Sequence, residues 1–209
     1  MASIGTIARR TFLFGAVAVA GGAAFGAWAV ARPAPNPLRP GPDATAMNPF
    51  VVIGADGITL IAPRAEMGQG VSTTWAALLA EELDIDWQTV RVEHGPPAAA
   101  YYNTALIAEA TTGRGYDASS FDHHLGQMLS RVGKVLELQA TGGSTSMKDG
   151  FERMRVTGAA TREALKAAAA DRLGADIVDL RTENGAVIAP DGTALAYTDL
   201  AADAVGREP

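Results

Sequence analysis

Two short polar stretches carry the residues best suited to grip a ligand: Met67-Gly68-Gln69-Gly70, and Thr141 to Ser146, which reads TGGSTS. Glycine removes side-chain bulk, so the backbone at Gly68, Gly70, Gly142 and Gly143 can approach another molecule closely. Gln69 offers a donor and an acceptor, and Thr141, Ser144, Thr145 and Ser146 add hydroxyls. Each stretch precedes a run with helical spacing. There, free N–H groups and the positive dipole end favour an anion such as phosphate. The same residues also have a purely structural reading, in which Ser and Thr cap helices and the glycines make turns. Neither stretch fits a phosphate-loop or dinucleotide signature. Taken singly, each favours the structural reading.

The elements that must hold these stretches follow from periodicity. FVVIGADGITLIAP, from Phe50, gives two short β-rich runs around Asp56-Gly57, a hairpin signal. From Val71 to Leu83, Trp75, Leu78, Leu79 and Leu83 fall on one helical side, and Ser72, Thr73 or Thr74 is placed to cap the start. Thr89–Gly95 alternates like a strand. Residues 95–140 hold scattered turn formers and one short helix near Leu125–Leu136; an irregular stretch of this length often meets a partner. Phe151, Met154, Ala159, Leu165, Ala169 and Leu173 then recur at near-helical spacing, with Gly174 suited to the C-cap. A hairpin through Asn184-Gly185, a turn at Asp191-Gly192 and a short helix complete the pattern. Strand–turn–strand–helix–strand followed by further helices predicts an α+β fold.

Composition narrows the chemistry. The chain has 209 residues and a net charge of −6, which speaks against a nucleic-acid partner. It contains no cysteine, so it carries no disulfide, thiolate zinc site or iron–sulfur cluster of its own. His94, His123 and His124 make no metal-ligand spacing, and the His123-His124 pair reads as a loop feature. No metal site of protein ligands is expected.

The N-terminus reads as an address. Arg9 and Arg10 precede Thr11-Phe12-Leu13 and a Gly/Ala-rich apolar run to about Val30, and no acidic residue occurs before Asp43. This pattern matches a twin-arginine export signal over residues 1–31. The alternative is an uncleaved signal acting as an anchor, since about 18 apolar residues just span a bilayer. The twin-arginine route moves folded cargo, and cytoplasmic insertion of a complex cofactor is one common reason to need it. Residues 32–49, RPAPNPLRPGPDATAMNP, are proline-rich and read as an extended spacer, leaving 50–209 as the folded body.

Together the motifs are more specific than apart. The order DGITLIAPRAEMGQGVSTTWAALLAEELDIDWQTVRVEHGP, then LQATGGSTSMKDGFERMRVTGAATREALKAAAADRLG, then RTENGAVIAPDGTALAYTDLAADA resembles a known family. It is similar to the N-terminal part of the molybdenum-binding subunit of the xanthine dehydrogenase/aldehyde oxidase superfamily, isoquinoline 1-oxidoreductase beta-subunit type. The resemblance runs from about Phe50 onward and is weakest over 98–138. It implies that Gly68, Gln69 and Gly70 contact the pterin dinucleotide of the molybdenum cofactor, in its cytosine form. It further implies that Thr141, Gly142, Gly143, Ser144, Thr145 and Ser146 wrap that dinucleotide from another side. Glu66 is assigned a structural part, and no catalytic base falls within this chain. The implied reaction oxidises an aldehyde or a carbon beside a heterocyclic nitrogen, with oxygen from water and a glutamate as general base.

Further expectations follow from that resemblance. Electrons leave through an iron–sulfur small subunit, and the rest of the molybdenum-binding subunit is a second partner. Location is periplasmic, with membrane association through an uncleaved signal or a cytochrome partner. Family members are several times longer than 209 residues, so the chain is expected to be a cofactor-binding portion inactive alone. A non-enzymatic exported binding domain and a truncated relic are the alternatives.

Overall fold

The computed structural model describes residues 21–22, 24–112 and 117–207. Met1–Ala34 and Pro35–Pro209 are separate units. In the first, residues 24–31 are helical, and the Phe25 and Trp28 rings lie 5.5 Å apart. Arg9 and Arg10, with most of the proposed signal, lie outside the described residues. Among the described residues no helix is long and apolar enough to cross a membrane.

In the second unit a four-stranded sheet has the order β1 (Ala44–Asn48), β2 (Val51–Gly54), β3 (Gly57–Ala62) and β4 (Arg91–His94). The Asp56-Gly57 turn closes the β2–β3 hairpin, where Val51 faces Leu60 and Ile53 faces Ile58. Gly57 has φ +113°, a conformation that glycine takes without strain. Residues 44–48, expected to be spacer, instead form the edge strand β1, paired antiparallel to β2. The last proline of that segment before the strand is Pro42, so the backbone N–H groups a strand needs are present from Asp43 onward.

Helix α1 (Val71–Leu83) carries the chain from β3 across to β4, which pairs parallel to β3. Parallel neighbours require such a crossover. Trp75, Leu79 and Leu83 are buried, as the spacing predicts, and Val71 joins them, while Leu78, expected on the same side, is half-buried. That side meets α4 (Thr145–Leu173), which buries Met154, Leu165, Ala168 and Ala169. The two helices approach closely because α4 presents glycines to α1. A Cβ on Gly158 would stand 2.7 Å from the Leu79 carbonyl oxygen, and one on Gly150 only 2.1 Å from Trp75 Nε1.

Among the described residues of 95–140 there are two α-helices where the periodicity predicts one. Helix α2 (Thr104–Thr112) starts at Asn103, whose Oδ1 accepts from the Ala105 and Leu106 amides at 3.1 and 3.2 Å. Helix α3 (Ser120–Val135) begins with a reciprocal cap between Ser119 and Asp122. It packs through Gly126, Ser130 and Gly133, while Phe121, Met128, Val132 and Val135 are exposed. An antiparallel sheet β5 (Arg181–Glu183), β6 (Ala186–Ile188), β7 (Ala194–Ala196) follows, then α5 (Tyr197–Ala204). The Tyr197 hydroxyl donates to the Leu83 carbonyl at 3.0 Å, tying α5 to the end of α1. The fold is α+β, as expected.

Candidate ligand-binding cleft

The loop after β3 and the loop before α4 meet and line one cleft of about 360 Å³. Of the residues picked out in the sequence, Gln69, Thr141, Gly142, Gly143, Ser144 and Ser146 line it. Gly68, Gly70 and Thr145 do not. Thr145 is buried beneath its loop, where its hydroxyl donates to the Gly142 carbonyl and accepts from Asn103 Nδ2 at 2.9 Å. Met67, Val71, Thr74 and Met147 complete the lining.

The two loops share an acceptor. Gln69 Nε2 and Thr141 Oγ1 both donate to the Ala65 carbonyl oxygen, at 3.3 and 3.2 Å. Ser146 Oγ donates in turn to Thr141 Oγ1 at 3.2 Å, and Arg64 Nε donates to Ser146 Oγ at 3.3 Å. The Arg64 guanidinium also donates to the Ser146 carbonyl at 3.2 Å and pairs with Asp149 at 2.7 Å. Burial pulls the Arg64 guanidinium below its ordinary value, and Asp149 opposes that shift. One buried cation, two residues before EMGQG, therefore links that loop to the wall built from TGGSTS. Sequence reasoning passed over it, because a single Arg at a strand end has no periodic signature.

Glu66 organises the first wall. Its Oε1 accepts from the Gly68 and Gly70 amides at 2.8 and 2.9 Å, and its Oε2 from the Ser72 amide at 3.0 Å. These bonds hold the carboxylate below its ordinary range, the Ser72 and Gly70 amides contributing most. The expected hydroxyl cap from Ser72, Thr73 or Thr74 is absent. The N-cap is Gly70 at φ 78°, and Glu66 satisfies the free amides instead. The expectation that the Gly68 and Gly70 amides stand free for a ligand gives way to this geometry. Gln69 also folds back, its Oε1 accepting from the Met67 amide at 2.6 Å. Across the cleft, Ser144 is the N-cap of α4 in left-handed conformation at φ 61°, with no side-chain cap bond.

The glycines distinguish conformational need from clearance. Gly68, Gly70 and Gly143 have φ between 55° and 94°, so their backbone accounts for glycine. Gly142 has no positive φ, and a Cβ there would meet nothing within 4 Å. Among the described residues neither a close neighbour nor a positive φ requires glycine at 142, yet it lines the cleft. The walls offer backbone, amide and hydroxyl groups with no charged side chain, which suits a polar ligand gripped by neutral donors. No cluster of His, Asp and Glu able to hold a metal ion occurs among the described residues.

No family model matches the chain. It is 30% identical over 183 residues to the isoquinoline 1-oxidoreductase subunit beta of Brevundimonas diminuta, covering 87% of this chain and 20% of that protein. The chain thus spans about a fifth of the length of the curated relative it matches. The crystal structure of quinoline 2-oxidoreductase from Pseudomonas putida 86 aligns at 19% identity and a TM-score of 0.37. That alignment covers 75% of this chain and 16% of the other, and at such a TM-score it carries no structural argument. Over the stretch it shares with the Brevundimonas subunit, the chain is a member of the isoquinoline 1-oxidoreductase beta-subunit family.

Proposed function

We propose that this chain is a cofactor-binding portion of a molybdenum hydroxylase large subunit, and that the cleft between EMGQG and TGGSTS receives part of the pterin dinucleotide. The observation that carries the reading is the meeting of those two loops on one cleft, with Gly142 leaving bare backbone there although a Cβ would meet no described residue within 4 Å. Family membership supports the choice of ligand. The neutral lining fits a cofactor rich in hydrogen-bonding groups. The volume lies near the lower end of ligand clefts, about 300–1,000 Å³, so it holds one portion of a dinucleotide rather than the whole.

In this reading Gln69, Ser144 and the backbone of Gly142 and Gly143 orient the cofactor, while Arg64 and Glu66 hold the walls in place. When bound, the cofactor supplies two-electron oxidation of an aldehyde or N-heterocycle with oxygen from water. Further polypeptide supplies the base and the substrate pocket, and an iron–sulfur subunit carries electrons away. Residues 1–31 act as a twin-arginine signal and 32–43 as a connector to β1, placing the body in the periplasm or at the membrane's periplasmic face. The cytosine form of the dinucleotide and a cytochrome partner belong to the same proposal.

Co-expression with the iron–sulfur subunit and the remaining large-subunit portion, in a host that makes the cofactor, tests this. Molybdenum and oxidised-pterin fluorescence are expected to co-purify with the wild type. Gln69→Ala with Gly142→Val is expected to lower both, since 142 lines the cleft and a Cβ there meets nothing within 4 Å. Full molybdenum content in that double variant would sink the assignment of the cleft.

A further inference from the structure

The EMGQG loop is built as an anion cradle, and its occupant is part of the chain. Three backbone amides, those of Gly68, Gly70 and Ser72, converge on the two oxygens of one carboxylate at 2.8, 2.9 and 3.0 Å. Convergent amides at a helix start form the kind of concavity that elsewhere takes phosphate. Here Glu66 fills it from four residues before the N-cap Gly70. Glu66 is absent from the cleft lining, whereas Met67 and Gln69 of the same loop are present. The amides that satisfy Glu66 are therefore spent on it, and what the loop shows the cleft is a thioether and a carboxamide.

We propose that Glu66 is a specificity-determining residue of the cleft: by occupying the loop's anion cradle in cis, it refuses phosphate at this wall and leaves Gln69 to meet a neutral part of the ligand. A phosphate arriving at Gly68 or Gly70 would have to displace a carboxylate tethered next to its own donors. It would meet that negative charge at contact distance. The first wall thus selects an uncharged hydrogen-bonding surface, and any phosphate of a bound dinucleotide is held elsewhere. This deepens the reading of the cleft as a cofactor site. It is tested without the cofactor, so failure of one does not imply failure of the other.

The test is a titration of the ¹⁵N-labelled full chain with inorganic phosphate, following the Gly68, Gly70 and Ser72 amides. In the wild type these three resonances are expected to stay still at millimolar phosphate. In Glu66→Ala they are expected to shift together and saturate, with an affinity at least about tenfold above wild type. Equal shifts in wild type and variant would overturn the proposal, because Glu66 would then exclude nothing. So would unmoved amides in Glu66→Ala when hydrogen exchange shows the start of α1 still protected. Where exchange shows that the loop has opened in Glu66→Ala, Glu66→Gln decides. It keeps one acceptor for the loop without the charge, and phosphate binding no tighter than wild type in that variant overturns the proposal.

Discussion

The Arg64 guanidinium and the Asp149 carboxylate lie 2.7 Å apart with both side chains fully buried, and each is anchored to a different wall of the cleft region. Arg64 lies in the bend between β3 and EMGQG, and Asp149 stands in the second turn of α4, just after TGGSTS. Asp149 also accepts from the Thr104 amide at 3.0 Å and pairs with Arg153 at 2.8 Å, so the start of α2 is tied to the same point.

Asp149→Leu strands the buried Arg64 guanidinium without a counter-charge and is expected to lower stability by about 3–5 kcal/mol, whereas Arg64→Met leaves Asp149 paired with Arg153 and is expected to cost less. The double variant should recover most of that loss, since well-packed apolar pairs often replace buried ion pairs without net cost. It does not restore the bonds to Ser146. Hydrogen exchange over 141–146 should therefore stay faster than wild type in the double variant while the denaturation midpoint returns. Recovery of both would show that the pair serves stability alone.

Helix contact through glycine predicts a second effect. Gly158→Ala places a methyl 2.7 Å from the Leu79 carbonyl oxygen, which is backbone and cannot swing aside. A loss of about 1–3 kcal/mol is expected in chemical denaturation. Gly142→Ala, with nothing within 4 Å, serves as the control and should leave the midpoint unchanged.

Acidification should open the EMGQG loop only below the ordinary glutamate value. The folded carboxyl of Glu66 lies below its ordinary value of 4.5 because it accepts backbone bonds. Its contribution is present above the unfolded value and is lost as pH falls through the folded one. The Gly68, Gly70 and Ser72 amide shifts should therefore titrate together with a midpoint under 4.5. A midpoint at or above that value would mean the bonds do not favour the ionised form. The Asp122 carboxyl, lowered by the Ser119 hydroxyl and amide, predicts the same direction at the start of α3.

Asn103 offers a further check on the region least legible in the sequence. It is fully buried, caps α2 through Oδ1, and donates to the Ala140 carbonyl at 3.0 Å and to Thr145 Oγ1 at 2.9 Å. Asn103→Ala is expected to cost about 1–3 kcal/mol through the acceptors it leaves unsatisfied. It should also raise exchange in both α2 and 140–145, whereas a cap acting locally would affect α2 alone.

Local signals explain what was legible. Asp56-Gly57 and Asn184-Gly185 announce turns through backbone preference, and Trp75, Leu79 and Leu83 announce a helix through spacing; all three appear in the fold. Gly174 ends α4 at φ 62°, as its position suggested. Phe151, counted toward the buried side of α4, is half exposed, because the face meeting α1 is made instead by Gly150, Met154 and Gly158. The helix expected near Leu125–Leu136 is α3, which starts five residues earlier, at Ser120; the helix that went unannounced is α2, whose start is set by the Asn103 side chain rather than by apolar spacing. In α3 Phe121, Met128, Val132 and Val135 are exposed while Gly126, Ser130 and Gly133 are buried, so apolar spacing alone does not give its packed side. The cleft was half legible: glycines and hydroxyls marked both loops, but the spacing of Arg64, Glu66 and Asp149 says nothing of which amide or carboxylate each will meet.

The chain contains three tryptophans, and only one of them is hidden. Trp28 and Trp87 are open to solvent, whereas Trp75 is fully buried, with the Arg64 guanidinium 5.2 Å from its ring centroid. Acrylamide will quench the first two and leave a protected, blue-shifted emission from Trp75. Any event that moves Arg64 changes the field across that indole. The molecule therefore carries a native fluorophore beneath its cleft, able to report on the walls in real time and without a label.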